Sequence, residues 1–144
     1  MTAQPPSATD GPGVVTATRV GFAFVDALSR RDPIAMVRLL HPHIEFRALT
    51  PGRDWSADDA TSVVHGIILG TWFKGVDEDM TVATVAGGSV GMRSVVDYEL
   101  HLTRGGDPYR LAQHAYFDVS GGRITSMRVL CSGYQPAIPG GVRD

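Results

Sequence analysis

His114, Tyr116 and Asp118 stand two apart within YRLAQHAYFDVSGGRITSMRVLCSGY, the stretch from Tyr109 to Tyr134. Residues two apart on a strand share a face. An imidazole, whose ordinary pKa lies near neutrality, beside a phenol and a carboxylate can move protons and steady a developing oxyanion. The stretch itself reads as two long strands joined by a hairpin, with Ser120-Gly121-Gly122 supplying the positive-φ turn residues. After the turn, Ile124, Ser126, Arg128 and Leu130 oppose Thr125, Met127, Val129 and Cys131. Simple patterning makes Leu111, Gln113, Ala115, Phe117 and Val119 the buried face of the first strand. That register turns His114 outward, to solvent or a partner subunit.

Other polar residues point to less chemistry. Asp97, Glu99 and His101 alternate on one strand face and read as solvated or as part of a subunit contact. His41 and His43 have a two-residue spacing, but His41 closes a helix and no third ligand accompanies them, so no metal site is expected. Glu45 and Arg47 on the first strand either pair across it or face solvent, and His65 sits on a helix with no fixed direction. Cys131 has no basic neighbour in sequence to lower its pKa, and it reads as a small apolar residue and not a nucleophile.

Composition narrows the class. The chain has 144 residues, 43% hydrophobic and 19% charged, which suits one ordinary globular domain. Its net charge of −2 gives no electrostatic grip on nucleic acid or anionic lipid. A single cysteine excludes an internal disulfide framework and a cysteine-rich zinc site. No apolar run reaches the ~18 residues of a membrane span, and residues 1–13 lack the blocks of a signal peptide. The cytoplasm is the simplest location.

The elements that must position these residues are helical first and stranded later. Residues 1–13 are rich in Pro, Gly, Ser and Thr and should be disordered. From about Val15 the apolar spacing predicts a helix through Leu28. Asp32-Pro33 starts a second, short helix that ends at His41-Pro42. A strand over Ile44–Leu49 follows. Ser56-Ala57-Asp58-Asp59 has the form of a capping box, so a third helix is expected from Ser56 towards Phe73. Strands then cover Thr81–Ala86, Gly91–Arg104 and the terminal hairpin, with Gly87-Gly88 and Arg104-Gly105-Gly106-Asp107 as turns. Residues 135–144 should form a loose tail, leaving a domain over 14–134.

The order of these elements, with FVDALSRRDPIAMVRLLHPHIEF early and GGRITSMRVL late, resembles the NTF2-like superfamily, including SnoaL-like polyketide cyclases and ketosteroid isomerases. In that pattern a helix ends in a basic or polar residue plus Asp, a short helix ends in Leu-Leu or Leu-Phe, and a strand follows. The likeness covers roughly Val14 to Tyr134. It implies an α+β cone: a curved antiparallel sheet packed on about three N-terminal helices and enclosing a pocket. It also implies a homodimer, because the convex sheet face of this fold commonly pairs. The family register turns His114, Tyr116 and Asp118 inward, and a β-bulge would reconcile it with the patterning. The same counting puts Val96, Tyr98, Leu100 and Leu102 on the cavity face, together with Met127, Val129 and Cys131. The third helix would cover the mouth, with Trp55, Trp72 and Phe73 placed to stack on a planar ligand.

Known catalytic positions match poorly. The general-base Asp of ketosteroid isomerases falls on Ala48, their phenol donor on Phe24, and their protonated Asp on His114. The last-strand Asp of SnoaL-type cyclases falls among Met127, Val129, Cys131 and Ser132. The Asp-Arg-Asp arrangement of limonene-type epoxide hydrolases has no clean match. What the resemblance implies is a SnoaL-like enzyme doing cofactor-free acid/base chemistry (isomerisation, cyclisation or dehydration) on a hydrophobic oxygenated molecule such as a polyketide or steroid-like ring. His114 would carry the proton, and Tyr98 or Tyr116 would steady the enolate or alkoxide. Trp55, Trp72, Phe24, Phe46, Met127, Val129 and Cys131 would hold the substrate. The alternative is a non-catalytic small-molecule-binding or dimerisation module of the same fold.

Overall fold

Three helices pack against one face of a strongly bent mixed sheet. The computed structural model describes residues 12–137. The segment expected to be disordered therefore lies outside it up to residue 11, as does the tail beyond residue 137. Helix α1 spans Pro12–Ser29 and buries Ala17, Val20, Phe24, Val25, Ala27 and Leu28, a spacing of three and four that makes one apolar stripe. Helix α2, Pro33–Leu39, is capped by Asp32, whose side chain accepts from the Ala35 N–H at 3.1 Å, with Pro33 in the first turn.

Strand β1 runs Leu40–Thr50 and so begins before Pro42, not after it. Proline has no N–H to offer the ladder, and the pairing of β1 with its neighbour shifts register between Leu40 and Glu45. Strand β2, Arg53–Ala57, folds back antiparallel on β1 through a turn at Pro51-Gly52, where Gly52 has φ 76°. Ser56 is therefore a strand residue paired with Arg47, not a helix cap. The third helix, α3, covers Ser62–Trp72 in wide π-type turns. Asp59 caps it, accepting from the Ser62 N–H at 2.7 Å and the Ser62 hydroxyl at 2.9 Å. The wide turns depend on Gly70, because a Cβ there would stand 2.0 Å from the His65 carbonyl oxygen.

Strands β3 (Val76–Val90), β4 (Arg93–Arg104), β5 (Asp107–Ser120) and β6 (Arg123–Cys131) form a long meander. Gly87 and Gly88 lie inside β3 instead of turning it, and the turn falls at Gly91, φ 59°. Gly87 serves a close approach there, since a Cβ would meet the Phe22 ring at 3.2 Å. The sheet order is β2-β1-β6-β5-β4-β3. All neighbours are antiparallel except β1 and β6, so the sheet is mixed. A two-residue strand β7, Gln135–Pro136, extends the pairing of β5 at Tyr109 and Arg110, within the segment expected to be loose. Irregular registers in β1, β3 and β5 accompany the curvature. At the start of β3, Arg31 donates to the carbonyls of Val76, Asp77 and Glu78 at 3.3, 2.7 and 3.2 Å.

α1 crosses β3, β4 and β5. It comes close to the sheet at Gly21, where a Cβ would fall 2.7 Å from the buried Phe117 ring. Gly21→Ala should therefore destabilise by about 1–3 kcal/mol through overpacking, read by urea unfolding, and Phe117→Leu in the same chain should recover part of it. A neutral Gly21→Ala would mean the helix sits farther off the sheet.

Three partly exposed carboxylates are held below their usual range by backbone donors: Asp32 by Ala35, Asp59 by Ser62 and Asp77 by Gly106. Unfolded aspartates titrate near ~3.9. Because the folded values lie lower, this stabilisation is complete above that pH and is lost as pH falls through them. The thermal midpoint should fall on acidification below pH ~4. That decline should be shallower in the Asp32→Asn/Asp59→Asn/Asp77→Asn variant; an equally steep acid limb would contradict the assignment.

Candidate functional site on the inner sheet face

Cross-strand pairing decides which side chains share the concave side. Tyr98 on β4 pairs with Gln113 on β5, and Gln113 with Cys131 on β6. All three are buried, Tyr98 at 3% exposure and Gln113 at 4%. The Tyr98 hydroxyl donates to Gln113 Oε1 at 2.5 Å. Burial raises the Tyr98 pKa far above the ordinary phenol value, and nearby Cys131 adds to the rise. Tyr98 is thus a neutral donor at any physiological pH. The next row inward is Val96, Ala115, Val129, Ala48 and Trp55.

The end of α3 closes over these rows. The Trp72 ring lies 6.1 Å from Phe46 and meets Trp55 edge-on at 6.0 Å. The Tyr134 hydroxyl donates to the Trp72 carbonyl at 2.5 Å, tying that end of α3 to the segment just after β6. Trp55 donates its indole N–H to Thr50 Oγ1 at 2.9 Å. The Trp72 indole N–H and the Gln113 amide nitrogen, both buried, have no partner. Of the residues expected to hold a ligand, Phe24, Phe46, Met127, Val129, Cys131 and Trp72 lie buried in the interior, with Trp55 partly buried against them, and Tyr98, expected to be catalytic, is buried there too.

His114 and Tyr116 do not join them. Both face outward and are exposed, because β5 alternates without interruption from Leu111 to Phe117. The irregular register in β5 comes later, between Asp118 and Val119, too late to turn His114 inward. His114 Nδ1 pairs instead with the Asp97 carboxylate opposite it on β4, and His101 pairs with Glu99 at 2.8 Å. Two grooves of about 480 and 520 Å³ mark the outer face, and both are lined by His114 and Leu130. Arg47, Arg128, Leu49 and Tyr116 line the first groove together with Ala48, Trp55 and Val129; Asp97 and Glu99 line the second together with Tyr98, Gln113 and Cys131. Among the described residues, no three His, Cys, Asp or Glu side chains come together as a metal site, and no helix is long and apolar enough to cross a membrane.

Gln113 is the interior residue that chemistry-first reading passes over. The signal was present: alternation alone puts a polar amide on the buried face.

No family model matches the sequence, and no curated protein matches it either. Solved structures do match in fold. An LEH-like epoxide hydrolase from M. tuberculosis superposes with a TM-score of 0.61 at 18% identity, over 82% of this chain and 84% of that one. An NTF2-like protein from Burkholderia thailandensis gives 0.61 at 18% identity, over 81% and 90%. A ketosteroid isomerase-like protein from Catenulispora acidiphila, in complex with trimethylamine, gives 0.63 at 12% identity, over 87% and 97%. The fold is NTF2-like.

The Tyr98–Gln113 pair can be tested by stability. Tyr98→Phe leaves the Gln113 oxygen without its donor and should cost about 1–3 kcal/mol in urea unfolding. Replacing both groups, Tyr98→Phe with Gln113→Met, removes every stranded polar atom of the pair and should restore most of that loss. Additive losses in the double variant would show that the two side chains do not interact.

Proposed function

We propose that this protein is a small-molecule-binding module that holds its ligand on the inner face of the cone without converting it. The observation that carries this reading is the chemistry of the interior. Among the described residues, the buried set consists of apolar side chains with Tyr98, Trp72, Cys131 and Gln113, and it contains no carboxylate and no imidazole. General acid/base catalysis needs a group that changes protonation near the working pH. Tyr98 is held neutral by burial. His114, the proton carrier expected from the family register, lies on the other side of the sheet. The trimethylamine complex of the Catenulispora acidiphila protein supports the use of this fold as a small-molecule receptor.

1-Tetralone tests the reading, because its α-protons exchange with D₂O whenever a base reaches them. The protein should retain 1-tetralone through rapid desalting and leave its deuterium uptake at the buffer rate. Accelerated uptake would make the protein an acid/base catalyst, and absence of retention would remove the binding reading.

A second reading, self-association through the outer sheet face, rests on a separate observation. Leu49, Tyr116 and Leu130 are exposed there, with Leu130 at 58%. Arg47 and Arg128 lie towards the β1 side of this apolar strip, and Asp97 and Glu99 towards β4. A two-fold axis through the strip would set the cations of one copy against the acids of the other. Sedimentation should give a dimer at micromolar concentration, and Leu130→Glu should dissociate it. A wild-type monomer would exclude this reading.

A further inference from the structure

We propose that the outer-face groove beside β2 binds a flat monocarboxylate, with Arg47 and Arg128 taking its charge and Leu49 and Leu130 its apolar body. The inference stands apart from the inner-face reading, because it concerns the opposite side of the sheet. Strand pairing builds the site in two rows. Arg47 on β1 pairs with Arg128 on β6, and Arg128 with Tyr116 on β5. Two residues further along, Leu49 pairs with Leu130, and Leu130 with His114. Alternation puts the two rows on one face, and both line the groove of about 480 Å³. That is an ordinary size for a small-molecule site.

The paired guanidiniums are the feature that asks for an anion. Like charges at adjacent strand positions repel, and here a single carboxylate is set against two cations. Glu45 stands 3.5 Å from Arg128 and 4.0 Å from Arg47, longer than the ~2.7–2.9 Å of a charge-assisted hydrogen bond. Among the described residues, neither guanidinium forms an ion pair with a second carboxylate. The backbone holds Arg128 in place: its Nη1 donates to the Met127 carbonyl at 3.3 Å and the Glu45 carbonyl at 3.5 Å. Its side chain is 27% exposed, against 60% for Arg47. Arg128 is thus a fixed donor and Arg47 a freer one, and together they can grip a carboxylate from two sides.

The rest of the lining narrows the class. Leu49 and Leu130 are both more than half exposed and lie side by side in the row next to the arginines. They offer apolar surface to a flat body that spans two strands. Two guanidiniums and one carboxylate, Asp54, line the groove, an excess of one positive charge that suits a monoanion. Asp54 pairs with Leu49, in the row away from the arginines. A phosphate monoester would bring a second negative charge beyond that excess.

The test compares 2-naphthoate, 2-naphthamide and 2-naphthyl phosphate, which share a ring system and differ in the charge of the head group. Titrations of the labelled full chain, followed by NMR, should give 2-naphthoate about tenfold tighter binding than 2-naphthamide. Added salt should weaken the naphthoate and leave the naphthamide unchanged. The Leu49 and Leu130 methyl signals and the Tyr116 ring signals should move, while the Trp72 indole signal stays in place. Arg47 is exposed, so Arg47→Gln should keep the fold and bring the naphthoate and naphthamide within about threefold of each other. Equal binding of naphthoate and naphthamide, tightest binding of the phosphate, or a full preference kept by Arg47→Gln would overturn the assignment. So would shifts at Trp72 without shifts at Leu49 and Leu130, which would put the anion on the inner face. A second copy that covers the groove and excludes 2-naphthoate would overturn it as well. The inner-face reading survives each of these results, since its own test is the retention of 1-tetralone.

Discussion

Strand β5 is the constraint on which the rest depends. It pairs with β4 from Asp107 to Phe117, with β6 from Gln113 to Ser120, and with β7 at Tyr109 and Arg110. Its side chains alternate strictly from Leu111 to Phe117. A shift of one residue would exchange every side chain between the faces. Leu111, Ala115 and Phe117 could not all be moved to the outside without exposing core that α1 covers. The packing of Phe117 under Gly21 therefore fixes the strand, and the strand fixes that Gln113 is inside and His114 outside.

This division separates two kinds of polar chemistry. Inside, the polar groups are neutral and directional: a phenol, an amide and an indole N–H, in surroundings where each hydrogen bond counts for more than it does in water. Outside, the groups are ionisable and hydrated, as in the His114–Asp97 and His101–Glu99 contacts. Exposed polar contacts of this sort add little to stability. Placed on a face with Leu49, Tyr116 and Leu130, they suit specificity towards another surface better than proton transfer to a buried substrate.

Much of this was legible in the sequence. The Asp32 cap, the Gly121-Gly122 turn and the amphipathic stripe of α1 are local devices, and each fell where its chemistry placed it. Simple alternation also gave the direction of His114, against the inward register drawn from the family resemblance. The misread elements were those settled at long range. Ser56 has a good capping sequence, but Trp55 is drawn onto β1 opposite Ala48 and against Trp72, so the capping passes to Asp59. Gly87-Gly88 looks like a turn, yet both lie within β3, and Gly87 makes room for Phe22 from α1. The unpaired N–H of Trp72 could not be read at all, because it depends on how the end of α3 meets Tyr134 and the aromatic rings.

The central claim is the sidedness of β5, and a soluble gadolinium chelate tests it directly. In an NMR spectrum of the protein with the chelate added, the His114 ring signals should broaden strongly. The Gln113 side-chain amide and Trp72 indole signals should persist. Loss of the Gln113 amide signal with survival of the His114 ring would reverse the strand and contradict the account.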